Sequence, residues 1–328
     1  MLRCGGNEAD NIRCQIGAAL IFISVVLGVF YRIHDVCLFT WMDPYQYYDM
    51  SIQWLKEGVD PLDFSIPTLY PVFLGFWQMI WGNGIPQALS FHVVPTAIGF
   101  YAIFRLGQVL FSDVRCGIMA GMMFFSLPTI WGLIGETYVE FTLSAVMAVW
   151  MLSLISYVEG ESKTGSLFAI GMLSLVLLLL KTTSPLFIIG PLGAAVWRAD
   201  PSRRHRLLAA LFMAAMGYFV YSLARGKEGF GYFLTIGNTQ LDVMPLIGPG
   251  EIFSLDSILF YPKQILRNFL GLLSLLLPLV FLRKGIRGRT LYLWVWALVP
   301  LIGLGCIEVK AARHIAPAMP AWCLLISG

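Results

Sequence analysis

Ten largely apolar runs separated by short charged segments constrain this chain more than any other feature: 15–31, 86–110, 114–132, 140–157, 164–180, 183–197, 207–224, 266–282, 290–308 and 314–328. A bilayer demands this pattern, because each span must stay apolar for about 20 residues. Charged residues are 12% of the chain, about half the roughly 25% with which a soluble domain covers its surface. The expected fold is an all-α polytopic membrane protein, a single domain over residues 1–328 with about ten transmembrane helices. Tyr31-Arg32-Ile33-His34 follows the first run in place of a small-residue cleavage site, so that run is read as a retained helix. The six cysteines show no CxxC or metal-ligand spacing and are read as small hydrophobes. The tenth run stops at Gly328 after 15 residues, and the chain is expected to continue in a longer protein.

One further apolar stretch, 66–81, carries Pro67 and Pro71 and decides the sidedness of everything after it. Cytoplasmic loops hold an excess of Lys and Arg. With the N-terminus inside and this stretch not crossing, 13 of the 22 basic residues face the cytoplasm with six acids, leaving nine basic residues and 13 acids outside. A crossing would turn both arginine groups, 198–206 and 283–289, outward. The stretch is therefore expected to be a re-entrant or juxtamembrane helix. Two long outer loops result, 32–87 and 225–265. Both are rich in aromatic residues and proline, which points to ordered, partly embedded segments.

The first of these loops carries the densest chemistry. From Tyr45 its pattern is helical, with Tyr45, Tyr48, Ile52 and Leu55 on an apolar stripe and Gln46, Asp49, Gln53 and Glu57 on a polar one. Gly58 and Pro61 stand where a helix would stop. The expectation is an amphipathic helix lying in the interface. Asp43 before Pro44 reads equally as an N-cap and as a carboxylate that could take a proton at the mouth of a membrane cavity. The tyrosines and Trp54 could stack on a sugar ring or form an ordinary interfacial belt.

Asp43-Pro-Tyr-Gln-Tyr-Tyr-Asp49, then Lys56-Glu57-Gly58 and Tyr70-Pro71, resemble the first outer loop of the GT-C glycosyltransferases. The nearest resemblance is to protein O-mannosyltransferases, lipid A aminoarabinose transferases and bacterial relatives of the Rgt type. Glu136-Thr-Tyr-Val-Glu140 is similar to their second outer loop. Lys181 stands like a family lysine between an apolar run and a Pro-containing helix, and Arg313-His-Ile-Ala-Pro317-Ala-Met-Pro320 looks like an Arg-x-x-x-Pro-x-x-Pro signature. Pro44 replaces the second acid of the pair that many relatives carry. Tyr70 stands where the aminoarabinose transferases have a lysine, and Asn238 falls near their metal-binding histidine.

The resemblance implies sugar transfer from a polyprenyl-phosphate donor to an acceptor hydroxyl on a lipid, glycan or protein, at the outer face of a bacterial cytoplasmic membrane. It implies Asp43 as general base, with Asp49, Glu140, Lys181, Arg313 and Tyr70 binding substrate; a divalent cation is left open as cofactor. Glu136 and His314 are weaker candidates. For Lys181 and Arg313 the alternative is snorkelling to the interface. For Asp49 it is the wet face of its helix, and for Glu140 a favourable acid near a helix N-terminus. The rival function is a transporter or flippase of a lipid-linked substrate. Such proteins place ionisable residues near the midplane and build from repeats, and no repeat is visible here.

Overall fold

A computed structural model describes residues 8–34, 42–63, 67–159, 164–225, 255–271, 288–305 and 311–328. Its regular elements are all helical: α1 (Glu8–His34), α2 (Met42–Ile52), α3 (Leu69–Trp81), α4 (Ile85–Ser90), α5 (Val93–Phe111), α6 (Val114–Ser126), α7 (Pro128–Ile134), α8 (Val139–Val158), α9 (Thr164–Leu180), α10 (Ser184–Arg198), α11 (Pro201–Ala224), α12 (Leu255–Gln264), α13 (Thr290–Gly305) and α14 (Met319–Ser327). Most of the loop at 225–265, most of the expected span at 266–282 and the residue Asn238 lie outside the described residues.

Four stretches among the described residues are long and apolar enough to cross a bilayer: Ile16–Ile33, Ile85–Phe111, Val139–Val158 and Pro201–Ala224. The helices at 164–180 and 290–305 are apolar but shorter. The run at 114–132 is not one straight span. It breaks between α6 and α7 with a bend of 67°, because Leu127 precedes Pro128 and is held extended at φ −69°, ψ 124°. The final run opens as a 3-10 turn, Ala312–Ala318, before α14 begins. Pro317 lacks the N–H group that an α-helix would need there, and Pro320 falls in the first turn of α14, where none is needed.

Helix α8 is the axis of the bundle: 15 of its 20 residues are buried, Trp150 and Met151 among them. Helices α5, α9 and the 3-10 turn at Ala312 pack against it. Where α5 meets α6, a side chain on Gly117 would collide with the backbone carbonyl of Phe104, so the two helices touch backbone to backbone. Being 20 residues long, α8 spans about 30 Å, the thickness of a hydrocarbon core. Each of its ends carries a separate ionic network. At one end Glu159 pairs with Arg198 (3.0 Å) and Arg289 (3.1 Å), and Arg203 donates to the carbonyls of Tyr157 and Val158. Glu140 marks the other end.

Helix α3 is 13 residues long, about 20 Å, too short to cross. Its buried face, Tyr70, Leu74, Gly75 and Gln78, packs on α2, and Trp54 lies where a side chain on Gly75 would stand. The first loop is tied down at several points. Gln78 Nε2 donates to Ser51 Oγ (2.8 Å), Thr68 Oγ1 meets Tyr221 Oη (2.7 Å) and Arg225 Nε donates to Leu62 O (3.3 Å). Past α2 the chain makes a π-turn over Gln53–Glu57 and stops at Gly58, whose φ of +68° is left-handed. The side of α2 that meets the protein is Pro44, Tyr47 and Ser51, while Tyr45, on the apolar stripe, is exposed. In an interfacial helix the apolar stripe is free to face lipid, and protein packing takes another face.

Candidate functional site

Four charged side chains from four distant segments meet beside the first turn of α8. Glu140 is carried there by α8 itself and is 2% exposed. Lys181 follows the last residue of α9, held by its N–H on Leu177 O at 3.2 Å. Its ammonium pairs with Glu140 Oε1. Arg313 comes from the 3-10 turn, placing Nε 3.3 Å from the same oxygen. Its Nη2 donates to Asp43 Oδ2, and its guanidinium lies over the Tyr138 ring, 4.9 Å from the centroid.

Asp43 sits in the first turn of α2 rather than ahead of it, since the helix begins at Met42. Its carboxylate turns to Arg313 instead of to the helix backbone. Thr137 Oγ1 donates to Pro44 O (2.8 Å) and so fastens this turn to the loop before α8. Two carboxylates thus face two cations, and the group is formally neutral. Such balance is what partly buried charges require, because one left unpaired would be costly at this depth.

Glu140 Oε2 is buried and accepts no hydrogen bond among the described residues. An acceptor in that state is open to a ligand's hydroxyl or amine. His314 Nε2 stands 4.0 Å from Oε1, and Tyr261 Oη lies 3.5 Å from His314 Nδ1. Burial, and next to it the Glu140 and Asp43 charges, raise the Tyr47 phenol well above its usual range. Tyr47 therefore stays neutral and is no base.

Two expected residues stand apart. Asp49 accepts from Gln53 Nε2 (2.8 Å) one turn along its own helix. Tyr70 is fully buried, edge-on to Tyr47 at 5.0 Å between ring centroids, with its hydroxyl 2.9 Å from His92 Nε2. The Ile134 carbonyl, 2.9 Å from His92 Nδ1, can only accept, so Nδ1 carries the proton, Nε2 accepts and Tyr70 donates. His92 thereby links α3 to the end of α7. Sequence reading passed over His92, Thr137 and Tyr138. An isolated buried polar residue has no sequence signature, whereas charges at the ends of apolar runs stand out. Among the described residues no three His, Cys, Asp or Glu side chains gather to hold a metal ion.

An all-α bundle with spans of membrane length and an ionic network at each end of α8 defines the class: a polytopic integral membrane protein. Solved structures define its fold further. The chain superposes on ArnT from Cupriavidus metallidurans bound to undecaprenyl phosphate with a TM-score of 0.76 at 17% identity, covering 95% of this chain and 59% of that one. With the archaeal oligosaccharyltransferase AglB from Archaeoglobus fulgidus, in complex with an inhibitory peptide and a dolichol-phosphate, the TM-score is 0.56 at 12% identity, covering 93% and 50%. The chain has the GT-C fold, and it spans 59% of the length of the one and 50% of the other. No family model matches it, and no curated protein does.

Proposed function

We propose that this chain is a GT-C glycosyltransferase that moves a sugar from a polyprenyl-phosphate donor to an acceptor hydroxyl at the outer face of the bacterial cytoplasmic membrane. The observation that carries the reading is the meeting of Asp43, Glu140, Lys181 and Arg313 at one end of α8. The undecaprenyl phosphate in ArnT and the dolichol-phosphate in AglB are consistent with a donor of this class.

In the proposed step the acceptor oxygen attacks the anomeric carbon, and its proton passes to Asp43 as the new bond forms. The bond from that carbon to the phosphate oxygen breaks, and polyprenyl phosphate leaves with the electron pair, inverting the centre. Lys181 and Arg313 stabilise the charge that develops on the phosphate. Arg313 holds the base in the resting arrangement, so a phosphate entering the cluster competes with Asp43 for the guanidinium and frees the carboxylate as the donor seats. Glu140 keeps the two cations in place and offers Oε2 to the sugar or the acceptor. Asp49 and Tyr70 support the first loop from outside this group. Acids and cations gathered at a helix end argue against the transporter reading, which calls for ionisable residues at the midplane.

The test offers purified protein a panel of polyprenyl-phosphate sugars with candidate acceptors and follows release of polyprenyl phosphate. Asp43→Asn should abolish turnover while the melting temperature stays near that of the parent. Undiminished turnover in that variant would remove Asp43 from the mechanism.

A further inference from the structure

A cavity of about 580 Å³ lies far from the ionic cluster, in the groove between α9 and α11. Leu167, Phe168, Met172 and Leu175 line it from α9 and Met213 from α11, with Arg206 the one charged residue of its wall among the described residues. The two helices run parallel, Gly171 against Ala210 and Gly217 against Leu175. Phe168 is 72% and Met213 68% exposed, so this side opens outward, toward acyl chains in a bilayer. From Leu167 to Leu175 the groove extends about 12 Å along the helix.

Polarity divides along that length. Arg206 lies near the start of α11, on the end of the bundle that holds Glu159, Arg198 and Arg203. Arg203 is turned onto the carbonyls of Tyr157 and Val158, and Arg204 onto that of Ala199. Arg206 makes one contact within its own turn, Nε to Ser202 O at 3.3 Å, and no ion pair among the described residues. A cation at headgroup level above an apolar slot has the form of a lipid: an anion on the guanidinium fork and a hydrocarbon chain below.

We propose that this groove binds an anionic phospholipid, with its phosphate on Arg206 and one acyl chain between α9 and α11. The occupant is not the donor of the proposed reaction, because Arg206 and Glu140 lie at opposite ends of the bundle, about 30 Å apart along α8. The proposal stands whether or not the chain is a transferase.

Native mass spectrometry of the detergent-purified protein tests it, after incubation with phosphatidylglycerol, phosphatidylcholine or undecaprenyl phosphate. The parent should retain phosphatidylglycerol over phosphatidylcholine. Arg206→Gln should weaken phosphatidylglycerol retention about fivefold, the effect of one basic residue at a membrane surface, and leave phosphatidylcholine unchanged. Ala209→Trp, which fills the slot from the exposed side of α11, should reduce retention of both. Unaltered melting temperatures would show that both variants fold. Equal retention of the two phospholipids by the parent would overturn the proposal. So would retention by Arg206→Gln equal to the parent's, or displacement of phosphatidylglycerol by equimolar undecaprenyl phosphate. A dimer that Ala209→Trp dissociates without loss of lipid would assign the groove to a second copy instead.

Discussion

Glu140 carries the heaviest electrostatic load of any residue in the cluster: a buried carboxylate faced by Lys181 and Arg313, with His314 beyond them. Glu140→Gln leaves both cations with less than they need. Breaking one partner out of a buried ionic group costs roughly 3–5 kcal/mol, and a drop of that size should appear as a lowered melting temperature in detergent. Glu140→Gln combined with Lys181→Met should recover part of the loss, because the second substitution removes the orphaned ammonium. A double variant no more stable than the single one would mean that Lys181 is not held by Glu140. His92 makes a different case, since its two ring nitrogens join Tyr70 to Ile134. His92→Phe removes the acceptor of the buried Tyr70 hydroxyl, a cost of about 1–3 kcal/mol. His92→Phe with Tyr70→Phe should be the more stable of the two.

Among the elements, the α5–α6 contact has the least room. Gly107 and Gly117 stand backbone to backbone, and no rotamer of a larger side chain relieves a clash with main chain. Gly117→Leu should destabilise the protein by roughly 1–3 kcal/mol or more, read as loss of folded protein in a detergent-stability assay. Gly132 has nothing within 4 Å of the place where a β-carbon would stand, and it should accept alanine with little change. The broken pair α6–α7 shows what periodicity leaves out. Pro128 is visible in the run at 114–132, yet an apolar stretch reads the same whether it continues straight or turns. The 67° bend follows from Leu127 being held extended and from α7 packing beside the site loop.

For the whole molecule the critical relation is between the two ends of α8. The Glu159 network and the Glu140 network should lie on opposite sides of the membrane. Single cysteines in a cysteine-free background, labelled from one side with an impermeant maleimide, read this directly. Positions 46 and 136 should label together, and position 202 only from the other side. Labelling of 46 and 202 from one side would break the topology, and with it the common site of Asp43 and Glu140.

Much of this was legible in the sequence. Apolar runs of spanning length cannot be hidden, so the all-α membrane class follows from hydropathy alone, whereas the break of the run at 114–132 does not. Asp43, Glu140, Lys181 and Arg313 were legible individually, because charge at the margin of an apolar run is expensive and therefore conspicuous. Their pairing was not. Which carboxylate meets which cation depends on contacts spanning up to 270 positions in the chain, and on the packing face that α2 presents, Tyr47 rather than Tyr45. Local periodicity sees only neighbours a turn or two away. The hydrophobic pattern thus fixes which segments enter the bilayer, while helix-to-helix packing decides which of their ends come together.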